Sequence, residues 1–211
     1  MDVRGQMDRI YGGTAPEDIP WNRREPPGLL VQLVESRVVT PCEAVDLGCG
    51  LGHYTRWLAS RGFQVTGLDI SATAIELARR AAADAGVSCN FVVADLTREV
   101  SAFDDRFDFG YDWEVLHHVF PTERVSFVAN VHRMLRPGGR YLSVCFSEED
   151  PAFGGRGKIR ETPIGTTLYF SSERELHDLF APLFDIELLD VVDIVGSPRS
   201  HRAVRAFMRK R

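Results

Sequence analysis

One short stretch limits the fold more than any other. Residues 44–53 read AVDLGCGLGH, an apolar run that breaks into glycines at the alternate positions Gly48, Gly50 and Gly52. The apolar run predicts a strand, and Tyr54, Trp57 and Leu58 within 53–60 share one helical face, so the segment reads as strand, tight turn, helix. Glycines at such a turn adopt conformations closed to other residues and let the backbone come close to a ligand. A dinucleotide fingerprint would place a further glycine where His53 stands, so the spacing disfavours a cofactor with a pyrophosphate.

The same alternation continues downstream. Residues 64–70 predict a second strand, and 71–85 a helix capped by Ser71 or Thr73 and closed by Gly86. Residues 90–94 and 107–111 are further strands. Residues 124–135 form a helix stopped by Pro137, Gly138 and Gly139, and 140–146 a fifth strand. Repeated βαβ units with right-handed crossovers place helices on both faces of a mainly parallel sheet. A Ser-x-x-Glu box (Ser172, Glu175) opens a helix over 172–180, and 184–195 and 203–208 are two strands close enough in sequence to pair antiparallel. The fold expected is α/β: a Rossmann-like, doubly wound mixed sheet of seven strands, mostly parallel, with an antiparallel C-terminal strand. Residues 1–28 and 147–167, rich in glycine, proline and charge, fall outside the pattern and read as loops or lids. The domain reading is therefore an N-terminal lid, 1–28, and one domain, 29–211, with an insertion at 147–167.

Composition narrows the function. The 211 residues suit one α/β domain, and 44% hydrophobic residues can fill its core. A net charge of -5 disfavours a surface built to neutralise phosphates, so nucleic acid is not the expected partner. No apolar run approaches the roughly 20 residues that span a bilayer, and the start of the chain lacks a signal-peptide core. The expectation is a cytoplasmic protein without a membrane partner; its oligomeric state has no signature in the sequence. Cys42, Cys49, Cys89 and Cys145 form no Cys-x-x-Cys pair, and the six histidines show no metal-ligand spacing, so no metal is expected.

Asp69 closes the second strand about 20 residues after the first glycine, where a carboxylate can accept from both hydroxyls of a ribose. Asp95 closes the third strand at the neighbouring position. Together these features describe a nucleoside without a diphosphate. The segments VDLGCGLG, VTGLDIS, VVADL, FDFGYDWEVLHHV and LRPGG, spread over about residues 43–146, resemble class I S-adenosylmethionine-dependent methyltransferases. That resemblance implies S-adenosylmethionine as cofactor and S-adenosylhomocysteine as product. It implies that Gly48, Cys49 and Gly50 border the methionine part, Asp46 orders the turn from beneath, Asp69 holds the ribose and Ile70 packs on adenine. Asp95 with Leu96 would read the amino group, and Asp112 would end the fourth strand beside the methionine moiety.

Methyl transfer from a sulfonium depends chiefly on positioning, so a catalytic base is not obligatory. A thiol is partly ionised at neutral pH, whereas an alcohol or phenol needs help in losing its proton. His117 and His118 follow the fourth strand at its carboxyl end, and His117 with Asp112 are the catalytic candidates; Tyr11, Trp113 and His118 are candidate pocket walls beside them. Packing roles account for the two histidines equally well. The stretch RIYGGTAPEDIPWNRREPPGLL resembles the leading segment of the thiopurine, thiol and halide branch of small-molecule methyltransferases. By that resemblance Trp21 lies over the cofactor with Tyr11 nearby, and Pro26 and Pro27 start a helix whose Leu29, Leu30, Leu33 and Val34 pack inward. It implies a small-molecule acceptor, a thiol or other soft nucleophile. A small aromatic or heterocyclic O- or N-acceptor is the alternative, and a protein that binds S-adenosylmethionine without turnover is the alternative of another class. Arg156, Lys158 and Arg160 in the 147–167 loop are either a solvated face or a clamp on an anionic acceptor.

Overall fold

The computed structural model describes residues 2–196 and 200–211. The chain divides into two compact units, Met1–Leu96 and Thr97–Arg211.

The first unit holds helices α1 (Val3–Gly13), α2 (Gly28–Glu35), α3 (His53–Ala59) and α4 (Ala72–Asp84), with strands β1 (Glu43–Leu47), β2 (Gln64–Asp69) and β3 (Asn90–Val93). β2 lies between β1 and β3 and is parallel to both, with Asp46 opposite Gly67 and Asp69 opposite Val93. Ala44 to Leu47 and Val65 to Asp69 are buried without alternation, the pattern of parallel strands covered on both faces. α3 is preceded by Gly52 at its N-cap, whose φ of 70° suits glycine and whose absent Cβ would stand 2.6 Å from the Phe91 ring. α4 is capped by Ser71, whose hydroxyl accepts from the Ala74 amide.

Part of the expected N-terminal loop is a helix. Asp2 caps α1 by accepting from the Gly5 amide, and Met7 and Tyr11 bury one side of it with Ile19 and Ala74. Gly5, Gly12 and Gly13 give this segment poor intrinsic helicity, so burial of that face is what sustains it. Asp8 fixes α1 to the start of α4, taking the Ser71 hydroxyl at 2.5 Å and the Thr73 amide at 3.1 Å. Those bonds hold the Asp8 carboxyl below its usual range, the Ser71 hydroxyl contributing most.

The second unit contains strands β4 (Phe107–Trp113), β5 (Leu135–Phe146), β6 (Ile159–Glu161), β7 (Thr167–Tyr169), β8 (Phe184–Ile194) and β9 (His201–Lys210), with helices α5 (Pro121–Met134) and α6 (Glu173–Phe180). β4 and β5 run parallel, and β9 is antiparallel to β5 on one side and β8 on the other. The expected mixed sheet of seven strands is thus what β1–β5, β8 and β9 form, with the C-terminal strand antiparallel. α5 starts at Pro121, earlier than expected, because proline at the first helical position loses no hydrogen bond. Its end also differs. Leu135 already pairs with Phe107, and Pro137, Gly138 and Gly139 are taken up in an irregularity of the β4–β5 ladder, not in a separate loop. Tyr141, Phe180 and Phe184 meet edge-on or tilted at 5.8 to 6.5 Å in the core. The expected 147–167 loop contains β6, which pairs with β7 as a hairpin. Among the described residues no helix is long and apolar enough to cross a membrane.

Candidate functional site

In the first unit the glycine turn is wired to the end of β2. The Gly48 and Cys49 amides donate to the Leu68 carbonyl at 2.7 and 2.9 Å. The Gly50 amide donates to Asp69 Oδ2 at 2.8 Å, and the Ser71 amide to Asp69 Oδ1 at 2.9 Å. Asp69 is only 6% exposed, and burial raises its pKa against the pull of these two amides. The Ile70 amide is a third donor to this carboxylate, which with about four acceptor sites still has capacity for a ribose hydroxyl. Beneath the turn, Asp46 accepts the Thr55 hydroxyl at 2.6 Å and so ties the end of β1 to α3.

Tyr11 and Trp21 come to this same turn. A Cβ on Gly50, where φ is 51°, would meet the Tyr11 hydroxyl at 2.9 Å, and the Trp21 indole N–H donates to that hydroxyl at 2.9 Å. Burial, with Asp69 adding to it, pushes the Tyr11 phenol well above its ordinary range, so it stays a neutral hydrogen-bonding group. Ile70 packs, half-buried, on the cluster of Met7, Tyr11, Ile19 and Ala74. Asp95 is half-buried and Leu96 buried just after β3, next to Ala94, whose amide donates to the Asp69 carbonyl. A buried carboxylate with acceptor capacity, a backbone stripped of side chains at Gly50 and an aromatic pair above it fit an adenosyl sulfonium. Cys49 lies between the two glycines with its thiol raised by burial, which leaves it unreactive.

In the second unit Asp112 is fully buried at the end of β4. Its Oδ1 accepts from the Leu116 amide at 3.1 Å and its Oδ2 from the Tyr141 hydroxyl at 2.6 Å. Burial raises its pKa, opposed by the bonds from Tyr141 and Leu116. Asp112 therefore holds the 3-10 turn Leu116–His118 against the strand, and Trp113 beside it is half-buried. His117, 3% exposed, accepts the Phe146 amide at Nδ1 (3.4 Å) and stacks on the Phe146 ring at 4.3 Å. An imidazole that accepts at Nδ1 carries its proton at Nε2 when neutral. Burial first, then His118, Arg124 and His201, push its pKa well below the usual value. The half-buried His118 has its ring 4.8 Å from that of His117 and is brought down to about 4 by burial.

Two arginines do work that their sequence context hid. Arg124 donates to the Val119 and Leu116 carbonyls at 2.7 and 3.0 Å and to the Ser171 hydroxyl at 2.8 Å, with its guanidinium 4.5 Å from the Tyr169 ring centre. It thereby clamps the histidine turn. Arg160, expected on a solvated face or an acceptor clamp, is buried: it donates to the carbonyls of Asp150 (2.5 Å), Ala152 (3.0 Å), Glu148 (2.9 Å) and Gly157 (2.9 Å) and lies 3.9 Å from the Phe170 ring centre. Lys158 instead pairs with Glu148 at 2.9 Å and Glu175 at 2.5 Å. Asp150 and His201, neither singled out by spacing, meet at 3.2 Å beside Phe146 and Phe153. Among the described residues no group of three or more His, Cys, Asp or Glu side chains is arranged to hold a metal ion.

Residues 44–139 match the methyltransferase domain family. The chain is 31% identical over 153 residues to the 2-heptyl-1-hydroxyquinolin-4(1H)-one methyltransferase of Mycobacteroides abscessus, a match covering 70% of this chain and 66% of that protein. It is 35% identical over 109 residues to a ubiquinone biosynthesis O-methyltransferase of a Methylobacterium species, covering 52% and 43% respectively. The chain thus spans between 43% and 66% of the length of these curated relatives. A structure solved in a study of the conversion of a disulfide bond into a thioacetal group during echinomycin biosynthesis superposes with a TM-score of 0.82 at 26% identity, covering 99% of this chain and 92% of that one. The seven-strand fold agrees with these matches, and over residues 44–139 the chain resembles class I S-adenosylmethionine-dependent methyltransferases.

Proposed function

We propose that this chain transfers a methyl group from S-adenosylmethionine to a small aromatic or heterocyclic acceptor, at a hydroxyl oxygen. The observation that carries this reading is the packing of His117 and His201 against Phe146, with Phe153 beside His201 and His118 beside His117, which joins apolar rings to imidazoles that can donate and accept hydrogen bonds. A soft thiolate needs no such equipment, whereas a hydroxyl does. The two relatives lend support, one being named for a hydroxyquinolinone and the other as an O-methyltransferase.

The cofactor, when bound, supplies an electrophilic methyl carbon on sulfur. For the rest, Asp69 accepts from the ribose, Gly48, Cys49 and Gly50 line the methionine part, Ile70, Asp95 and Leu96 receive the adenine, and Trp21 on Tyr11 excludes water from above. Asp112 acts through the turn it holds, and His117 offers its Nε2–H to the acceptor as an orienting donor, with Trp113 and His118 as wall. Calorimetric titration with S-adenosylhomocysteine and a methyl-transfer screen of phenols, hydroxylated heterocycles, heterocyclic amines and thiols test the reading. Binding with turnover on the hydroxyl compounds is expected; absence of binding would overturn it. A second reading, a small thiol acceptor, draws on the Tyr11–Trp21 pair at the glycine turn and the resemblance of that segment to the thiol branch. Turnover confined to thiols would favour it.

A further inference from the structure

The carboxylate of Asp150 is the most confined acid of the second unit outside β4. It is 1% exposed, its Oδ1 accepts from the Ala152 amide at 2.6 Å, and its Oδ2 accepts from the Arg202 amide at 2.5 Å and lies 3.2 Å from His201 Nδ1. A carboxylate only accepts, so the proton in this last bond belongs to the imidazole, and neutral His201 must carry it on Nδ1. Its Nε2 then holds a bare lone pair. The ring is set between Phe146, at 4.7 Å and tilted, and Phe153, at 5.8 Å and nearly parallel, and its side chain remains 11% exposed. Arg160 fixes the backbone that carries Asp150 by donating to the Asp150 and Ala152 carbonyls.

The two imidazoles that pack against Phe146, His117 stacked and His201 tilted, therefore present opposite polarity. His117 spends its Nδ1 lone pair on the Phe146 amide and is left with an N–H; His201 spends its Nδ1–H on Asp150 and is left with a lone pair. A hydroxyl is both donor and acceptor, and such a pair matches both halves of it.

We propose that His201, oriented by Asp150, is the base that takes the acceptor's proton. His201 Nε2 receives the hydroxyl proton while the acceptor oxygen forms its bond to the methyl carbon, and the carbon–sulfur bond of the sulfonium donor breaks with its electron pair left on sulfur. The imidazolium so formed is stabilised by the Asp150 carboxylate, and its proton passes to water after product leaves. The proposal rests on the reading of this chain as a methyltransferase of hydroxyl acceptors.

The test compares wild type with His201→Gln and Asp150→Asn on a series of phenols of graded acidity, alongside calorimetry with S-adenosylhomocysteine and nitrogen NMR of the histidine rings. His201→Gln is expected to lose about a hundredfold in kcat on the least acidic phenol. The loss shrinks along the series and vanishes for a phenol already ionised at the assay pH, while the affinity for S-adenosylhomocysteine stays within twofold. Asp150→Asn follows the same trend if its unfolding midpoint shows it intact. The wild-type spectrum is expected to show His201 protonated at Nδ1. An equal loss on every phenol, a His201→Gln variant within threefold of wild type on the least acidic one, or a ring protonated at Nε2 would overturn the role of His201. Wild type that binds S-adenosylhomocysteine yet methylates thiols and no phenol would overturn the hydroxyl reading instead, and the ring spectrum would still report the pair.

Discussion

Gly50 and Gly52 stand two residues apart in one turn, yet substituting each by alanine should damage different properties. Both have positive φ, 51° and 70°, so alanine at either position carries about 1–2 kcal/mol of backbone strain. At Gly52 the new methyl would meet Phe91 ring carbons at 2.6 and 2.7 Å and the Ala78 methyl at 3.2 Å. That is overpacking of a core contact, about 1–3 kcal/mol more, for a total of about 2–5 kcal/mol in folding free energy. At Gly50 the methyl would meet only the Tyr11 hydroxyl, at 2.9 Å, the end of a side chain that can shift at the expense of its bond from Trp21. The added cost there is about 0.5–1.5 kcal/mol, but the displaced groups are those that should touch the cofactor. Urea unfolding monitored by tryptophan fluorescence, paired with calorimetric titration of S-adenosylhomocysteine, separates the two. Gly52→Ala should lower the unfolding midpoint strongly while its folded fraction binds within threefold of wild type. Gly50→Ala should lose less stability and at least tenfold in affinity, about 1.4 kcal/mol. A Gly50→Ala variant that binds as wild type does would refute the argument that backbone exposure at this position serves the ligand.

Other consequences can be checked with the same preparations. Asp69→Ala should weaken S-adenosylhomocysteine binding at least tenfold with an unchanged far-ultraviolet spectrum, since it removes acceptors and little core volume; an unchanged dissociation constant in a folded variant would contradict this. Burial works against ionisation of Glu175, but Lys158, the Ser172 amide and the Tyr169 hydroxyl outweigh it and hold its pKa down to about 2. A depressed carboxyl stabilises the fold above its unfolded pKa and loses that contribution as pH falls through the folded one. Because the group is partly solvated, the effect is about 1 kcal/mol at pH 7; the stability gap between wild type and Glu175→Gln should persist at pH 5 and close toward pH 2, and a gap independent of pH would refute it. Arg160→Lys keeps the charge but cannot span four carbonyls, so it should cost about 2–3 kcal/mol and raise amide hydrogen exchange across 148–157.

The fold was readable from the sequence wherever local pattern and tertiary burial ask for the same thing. The apolar runs of β1 and β2, the glycine turn and the Ser172 capping box are signals of that kind, and each falls where expected. Asp69 was legible because a carboxylate at the end of β2 has a positional meaning in α/β folds. What escaped was set by distant partners. α1 is held by Met7, Tyr11 and the long-range bonds of Asp8, against three glycines that argue for a loop. The buried roles of Arg124, read only as the start of a helix, and of Arg160, read as a solvated face or an acceptor clamp, escaped because carbonyl oxygens, which every residue carries, leave no trace of a partner in the sequence. Asp150 and His201 are 51 residues apart and meet only because β5 and β9 pair antiparallel, with Phe146 opposite Ala203.

Arg160 also has an evolutionary consequence. A loop whose course is set by a guanidinium gripping main-chain oxygens does not depend on the identity of the side chains it displays. Positions such as Arg156 can then change while the path of the backbone, and with it the placement of Asp150 next to His201, stays the same. Such an internal anchor separates the part of the loop that must be kept from the part that is open to selection.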